Sequence, residues 1–167
     1  MKSLISSSLT QEQEKALSSA RQRAVYQAWS KEKEYVQQGK GTRDWSKDQQ
    51  KEIMETHRVS GFEGHHMRSV SAGKSYQEKM EIASDKNNIQ MLEKTKENNE
   101  HLKAHMGDTK NRTNWYYDPK NDKIHNFGEG KPKAPEAKNL SNPIYKQEKT
   151  EGYTEDNSKK YNYSRNR

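Results

Sequence analysis

The chain has 167 residues, a length that fits one domain, yet only 27% of them are apolar, 33% are charged and the mean hydropathy is −1.53. Such a chain cannot bury a large core along its whole length, so a compact central domain with polar flanks is expected. The absence of cysteine excludes disulfides, thiolate zinc sites and cysteine nucleophiles, and the formal charge of +7 favours polyanions such as nucleic acid.

The first residues, Met1-Lys2-Ser3-Leu4-Ile5, carry a charge without a sustained apolar stretch, so they do not read as a signal peptide. No run approaches the roughly 20 apolar residues of a membrane span. Residues 10–38 are expected to form one helix. Thr10 with Gln13 makes a capping-box pattern, Leu17, Ala20, Ala24 and Ala28 give a narrow stripe of small residues, and Gly39-Lys40-Gly41 ends it. Ser46 with Gln49 opens a shorter helix in the same manner, running through Ile53 and Met54, with Trp45 placed to pack back on the domain. Residues 59–72 alternate apolar positions with glycine breaks, a pattern suited to a short hairpin. Ser75 to Ile82 is expected to be a short helix, Ile89 to Leu92 a strand, and Lys94 to Met106 a helix stopped by Gly107. Trp115 to Asp122 reads as a strand and turn, with Ile124 to Phe127 as the return; the aromatic cluster Trp115, Tyr116, Tyr117 is expected to pack in the core. Beyond Gly128 aliphatics are scarce, and 129–167 is read as an extended tail whose Tyr145, Tyr153, Tyr161 and Tyr163 are candidates for stacking on a partner.

Four of the six histidines fall into two tight groups: Gly64-His65-His66, and His101-Leu102-Lys103-Ala104-His105. The second group is spaced i, i+4, so a helix would put both rings on one face. Two such imidazoles plus one from the first group would make a three-ligand metal site with an open position, the arrangement of catalytic rather than structural metal. The remaining histidine of the first pair would be free to act as a general base, His65 or His66 taking that role and the other binding metal. Phosphodiester hydrolysis needs little more: a divalent ion to neutralise charge on the phosphate oxygens, and a neutral imidazole to take a proton from water. Consecutive strand residues point to opposite faces, so both histidines could serve one site only if the backbone is irregular, which Gly64 would permit. His57 and His125 have no partner at a meaningful spacing and are read as surface residues.

Three segments, Phe62-Glu63-Gly64-His65-His66-Met67, Ser84-Asp85-Lys86-Asn87-Asn88-Ile89-Gln90-Met91-Leu92 and Glu100-His101-Leu102-Lys103-Ala104-His105-Met106-Gly107, together resemble the HNH/endonuclease VII superfamily. Within it they resemble the Gly-His-His group found at the C-termini of bacterial polymorphic toxins of the Rhs, wall-associated and LXG types. Arg43-Asp44-Trp45-Ser46-Lys47-Asp48-Gln49-Gln50 looks like the helix preceding the motif in that group. The resemblance implies an α+β fold with a ββα-metal (His-Me finger) core, an N-terminal helical extension and a largely irregular C-terminal tail. The corresponding boundaries are 1–41 for an extension joining a larger parent protein, 42–127 for the nuclease domain and 128–167 for the tail. By the same resemblance His65 binds the metal with His101 and His105, His66 is the general base, and Asn88 holds the hairpin loop or the base in orientation. Arg68, Lys110 and Arg112 are candidates for phosphate contact. One departure stands out: relatives often continue His-Gly-Gly-Asn where this chain has His105-Met106-Gly107-Asp108.

The implied activity is metal-dependent endonucleolytic hydrolysis. The implied cofactor is one divalent ion (magnesium, zinc, manganese or nickel). DNA is favoured over RNA because a metal-and-base mechanism needs no 2′-hydroxyl. The implied partners are nucleic acid and a cognate, acidic immunity protein, and the protein would be delivered as part of a larger bacterial toxin to act in the target-cell cytoplasm. The alternatives are an RNA- or tRNA-cleaving toxin of the same fold, or a non-catalytic zinc-stabilised module that binds nucleic acid; the lack of cysteine argues against the latter.

Overall fold

The computed structural model describes residues 8–145. Helix α1 (Gln11–Gln37) opens with the expected capping box: Thr10 Oγ1 accepts from the Gln13 N–H and the Gln13 side chain accepts from the Thr10 N–H, both at 3.0 Å. Its buried face is Leu17, Ala20, Ala24, Trp29, Glu32 and Val36. Because Ala20 and Ala24 are small, neighbouring elements approach the helix closely. At its N-terminal half Leu17 and Ala20 pack with Val70, Ile82 and Ala83. At its C-terminal half Ala24, Trp29 and Val36 join Trp45, Ile53, Val59, Ile89, Met91 and Leu140. One helix thus bridges both main clusters, and α1 is a central element of the domain rather than an extension attached to it.

Several of the later described elements pack against this helix. A two-residue strand β1 (Lys40–Gly41) leads to α2 (Lys47–Thr56), capped by Ser46 and Gln49. Strand β2 (Phe62–His66) pairs antiparallel with β3 (Ile89–Glu93) in the register His65↔Gln90 and His66↔Ile89. The expected hairpin within 59–72 does not form. The partner of β2 lies beyond a connection holding a 3₁₀ turn (Val70–Ala72), helix α3 (Tyr76–Ser84) and a second 3₁₀ turn (Lys86–Asn88). Gly64, the break in the pattern, is an ordinary paired strand residue opposite Met91.

Helix α4 (Glu100–Ala104) follows β3 and completes a ββα unit, giving an α+β fold of the HNH type. It is much shorter than the 94–106 expected. Residues 94–99 instead form a turn in which the Thr95 N–H bonds the Asn98 carbonyl at 3.0 Å, and the Asn99 side chain caps the helix by accepting from the Leu102 N–H at 3.0 Å. Asparagines compete for backbone partners in this way and favour turns and caps over helix interiors. Strands β4 (Trp115–Asp118) and β5 (Lys123–Asn126) form a hairpin. It is tied to β3 by Gln90, whose side-chain amide both donates to the Tyr117 carbonyl and accepts from the Tyr117 N–H.

The chain after Gly128 is not simply a tail. Strand β6 (Lys138–Asn139) pairs with β1, and Leu140 is 5% exposed beneath it. The buried Gln50 side chain donates to the Asn142 carbonyl (2.9 Å) and accepts from the Ile144 N–H (3.0 Å), and Tyr145 packs on the core. Residues 138–145 are therefore part of the domain. Tyr153, Tyr161 and Tyr163 lie outside the described residues.

Candidate metal centre and its surroundings

The ββα unit brings three of the four grouped histidines together. His65 points from β2 toward α4, where it is 4% exposed. His101 lies in the first turn of α4 and His105 at its C-cap, one helical turn apart and facing the same way. The ring centroids are 5.2 Å apart for His65–His101, 5.1 Å for His65–His105 and 4.8 Å for His101–His105. One ligand nitrogen from each lies within 4.8 Å of the others; three nitrogens bound ~2.1 Å from one tetrahedral ion stand about 3.4 Å apart, so small ring rotations close the difference.

Two further observations fit a divalent ion. Nε2 of His65 is buried with no hydrogen-bond partner, a state that ordinarily costs about 1–3 kcal/mol and that a bound ion would relieve. Nδ1 of His105 lies 3.0 Å from the Asn111 carbonyl. A carbonyl only accepts, so Nδ1 carries the proton and Nε2 keeps its lone pair, the orientation outer partners impose on metal-binding imidazoles. Burial, followed by the neighbouring His101, His105 and His66, holds His65 down to about 3. His101 is lowered too, by burial first and then by His105. Both are neutral at pH 7, as a metal ligand must be.

His66 stands apart from this cluster. Its Nε2 donates to the Ala83 carbonyl at 2.9 Å, which leaves Nδ1 as the basic nitrogen. Burial lowers its affinity for a proton; the Ala83 bond opposes this, Arg21 on α1 lowers it further and Asp85 raises it. The irregular backbone expected at His65 and His66 is not found. The strand is regular, the two rings diverge to opposite faces, and they sit at the end of the strand rather than in its middle. Gly64 serves a different purpose. A Cβ there would lie 2.9 Å and 3.0 Å from the two Val25 methyls and 3.0 Å from Ile89 Cγ2, so the glycine is what lets α1 seat against β2.

Asn88 is 2% exposed and grips the backbone immediately after the histidines. Its Oδ1 accepts from the Arg68 N–H (2.8 Å), and its Nδ2 donates to the Arg68 carbonyl (3.1 Å) and the Ile82 carbonyl (3.4 Å). All three of these hydrogen bonds run to backbone, so the side chain clamps the loop that follows the histidines. Arg68 is half-buried and bridges to Asn114. Lys110 and Arg112 are exposed, in the loop that also supplies the Asn111 carbonyl to His105. His57, at the left-handed C-cap of α2, and His125, 6.0 Å from the Tyr116 ring, lie outside the cluster. Of the aromatic run, Tyr117 is core, and Trp115 donates from Nε1 to the Ala104 carbonyl at 2.7 Å, closing the C-terminal end of α4.

Sequence reasoning missed the polar supports. Glu100 is buried and takes a two-pronged ion pair from Arg43, at 2.8 and 3.1 Å. Glu32, raised by burial, accepts from the Thr42 N–H and hydroxyl and from Trp45 Nε1 at 2.7–2.8 Å. Partners far apart in sequence leave no periodic signal; only the position of Glu100, directly before His101, hinted that it mattered.

A family model described as GHH signature containing HNH/Endo VII superfamily nuclease toxin matches residues 11–93, about half of the chain. The match takes in α1, Gly64-His65-His66 and Asn88, and ends before His101 and His105. Among curated proteins the chain is 37% identical to human teneurin-1 over 86 residues, and 33% identical to mouse teneurin-3 and to human teneurin-4 over 85 residues each. Each alignment covers 50% of this chain but only 3% of the teneurin, so the chain spans a small fraction of the length of these relatives. The Gly64-His65-His66 signature, with Gly64 against α1 and His65 in a three-histidine cluster, agrees with the family match: through residues 11–93 this chain belongs to the GHH signature containing HNH/Endo VII superfamily of nuclease toxins.

Proposed function

We propose that the chain is a metal-dependent endonuclease that hydrolyses phosphodiester bonds in DNA and acts as a toxin domain. The observation that carries this reading is the pairing of a convergent His65–His101–His105 cluster with a separately held His66 at the end of the same strand. In this reading the three clustered histidines hold one divalent ion, and that ion supplies charge neutralisation on the phosphate oxygens. His66 accepts the proton of the attacking water at Nδ1, while its Nε2–H stays fixed on the Ala83 carbonyl and sets the ring's direction. The depressed proton affinity of His66 keeps it in the unprotonated, base-competent form at neutral pH. Asn88 holds the backbone from which Arg68 projects, and Arg68, Lys110 and Arg112 contact phosphates on either side of the cut. Three imidazoles suit zinc, nickel or manganese better than magnesium, which prefers oxygen ligands.

The family's biology extends the proposal. A +7 domain delivered within a larger toxin would act in the target-cell cytoplasm and be neutralised in the producer by an acidic immunity protein, recruited through electrostatic steering. Among the described residues no helix is long and apolar enough to cross a membrane.

The test is a cleavage assay on chelator-stripped protein, with plasmid DNA and total tRNA offered separately and magnesium, manganese, zinc or nickel restored. Metal-dependent cutting of plasmid that disappears in His66→Ala, while metal binding persists, is the expected result. Cutting of tRNA alone would assign RNA as substrate, and stoichiometric metal without cleavage of either would replace the enzyme with a zinc-stabilised binding module.

A further inference from the structure

We infer that the Arg43–Glu100 ion pair sets the position of α4 and thereby the affinity of the metal centre, making Arg43 a positioning residue although it lies outside the cluster. The inference rests on the metal-centre reading above.

Helix α4, Glu100–Ala104, is five residues, far short of what a helix needs to persist by itself, so its position depends on what grips its ends. The C-terminal end is held by Trp115 and by burial of Ala104 against Leu92 and Tyr117. The N-terminal end, beside His101, is held through the Glu100 carboxylate. That group accepts Arg43 Nη1 at 2.8 Å and Nη2 at 3.1 Å, the Glu93 N–H at 2.8 Å and Asn98 Nδ2 at 3.3 Å. Arg43 Nη1 also donates to the Met91 carbonyl at 3.2 Å. The brace therefore joins α4 to β3 at two of its residues, and β3 is in register with the strand that carries His65. His65 on one side and His101 and His105 on the other are referenced to each other through it.

Its chemistry suits that task. The side chains are only 20% and 6% exposed. A buried ion pair is a weak source of net stability but a strong determinant of geometry, because any other arrangement leaves a desolvated charge unmatched. The guanidinium fork fixes two distances at once, which a lysine cannot do. Outer partners that hydrogen-bond a ligand directly change metal affinity by about 10- to 100-fold when removed, and loss of a brace that orients the helix carrying two of the histidines is expected to act over the same range.

The experiment measures zinc binding by calorimetric titration of the metal-free full chain, well below its melting temperature. Arg43→Lys, which keeps the charge but loses the fork, and Arg43→Met are compared with Leu140→Ala, a destabilising change in a core cluster other than the one that holds α4. The expected result is zinc binding weakened about 10-fold in Arg43→Lys and about 100-fold in Arg43→Met, with Leu140→Ala unchanged although its melting temperature falls. Wild-type affinity in Arg43→Lys would overturn the brace, whether or not Arg43→Met folds. Equal weakening in Leu140→Ala would also overturn it, by showing that affinity merely follows stability. A wild-type chain that binds no zinc, nickel or manganese would instead sink the metal-centre reading beneath it.

Discussion

Replacing Gly64 with alanine tests how α1 is joined to the site. The added Cβ would sit 2.9 Å from Val25 Cγ1 and 3.0 Å from both Val25 Cγ2 and Ile89 Cγ2. Carbon atoms rest comfortably at about 3.5–4.0 Å, so the helix and strand must separate by roughly 0.5–1 Å. Ile89 is 3% exposed and Ala24, beside Val25, is fully buried, so neither side can yield without disturbing the core. Overpacking of this kind costs about 1–3 kcal/mol, which lowers the melting temperature of a domain this size by several degrees. The decisive assay is a double-mutant cycle by urea denaturation with Gly64→Ala, Val25→Ala and the pair. Removing the Val25 methyls vacates two of the three clashing positions, so the pair should be more stable than the sum of the singles by about 1–2 kcal/mol. Strictly additive effects, or an unchanged midpoint in Gly64→Ala, would refute the claim that the glycine makes room for α1.

Three other outcomes follow from the same structure. Metal-free protein should lose stability as pH falls from 6.5 toward 3: with His65 held down to about 3, the unfolded chain binds the extra proton throughout that window. Each pH unit costs at most about 1.4 kcal/mol for this residue; urea midpoints at pH 7.5, 6 and 5 that do not fall, or that fall equally in His65→Phe, would contradict it. Leu140→Ala should cost about 2–4 kcal/mol, since Leu140 is 5% exposed among Trp29, Val36 and Trp45, and ending the chain at residue 137 should cost more; a truncated protein with wild-type melting behaviour would return residues 138–145 to the status of a tail. Asn88→Ala should cost about 2–4 kcal/mol by stranding the Arg68 N–H and carbonyl. Hydrogen exchange should then accelerate at Arg68, just after β2, ahead of the β2 amides, and uniform acceleration would argue against a local clamp.

What the sequence by itself determined is the family and the local structure that short-range rules encode. Thr10 and Ser46 with their glutamines mark two helix starts because a capping box closes within four residues. His101 and His105 share a face because the helical period puts them there. The segments holding Gly64-His65-His66, Asn88 and His101 with His105 pointed to the family because each is a short contiguous run and they follow in a fixed order. What only the tertiary structure decided is everything set by partners distant along the chain. The strand partner of His65 is Gln90, across an intervening helix, so the local pattern in 59–72 pointed to a hairpin that does not exist. Periodicity extended α4 over thirteen positions, but Asn98 and Asn99 satisfied their bonds in a turn and cap and shortened it to five. Leu140 lies in a polar segment, and only the groove between α1, β1 and Trp45 makes it core. Arg43 and Glu100 are ordinary surface-type charges in sequence; desolvation beside β3 and α4 makes each require the other. The histidine spacings are local, while the geometry that lets three of them meet and holds the fourth apart arises from long-range packing, which no short-range pattern records.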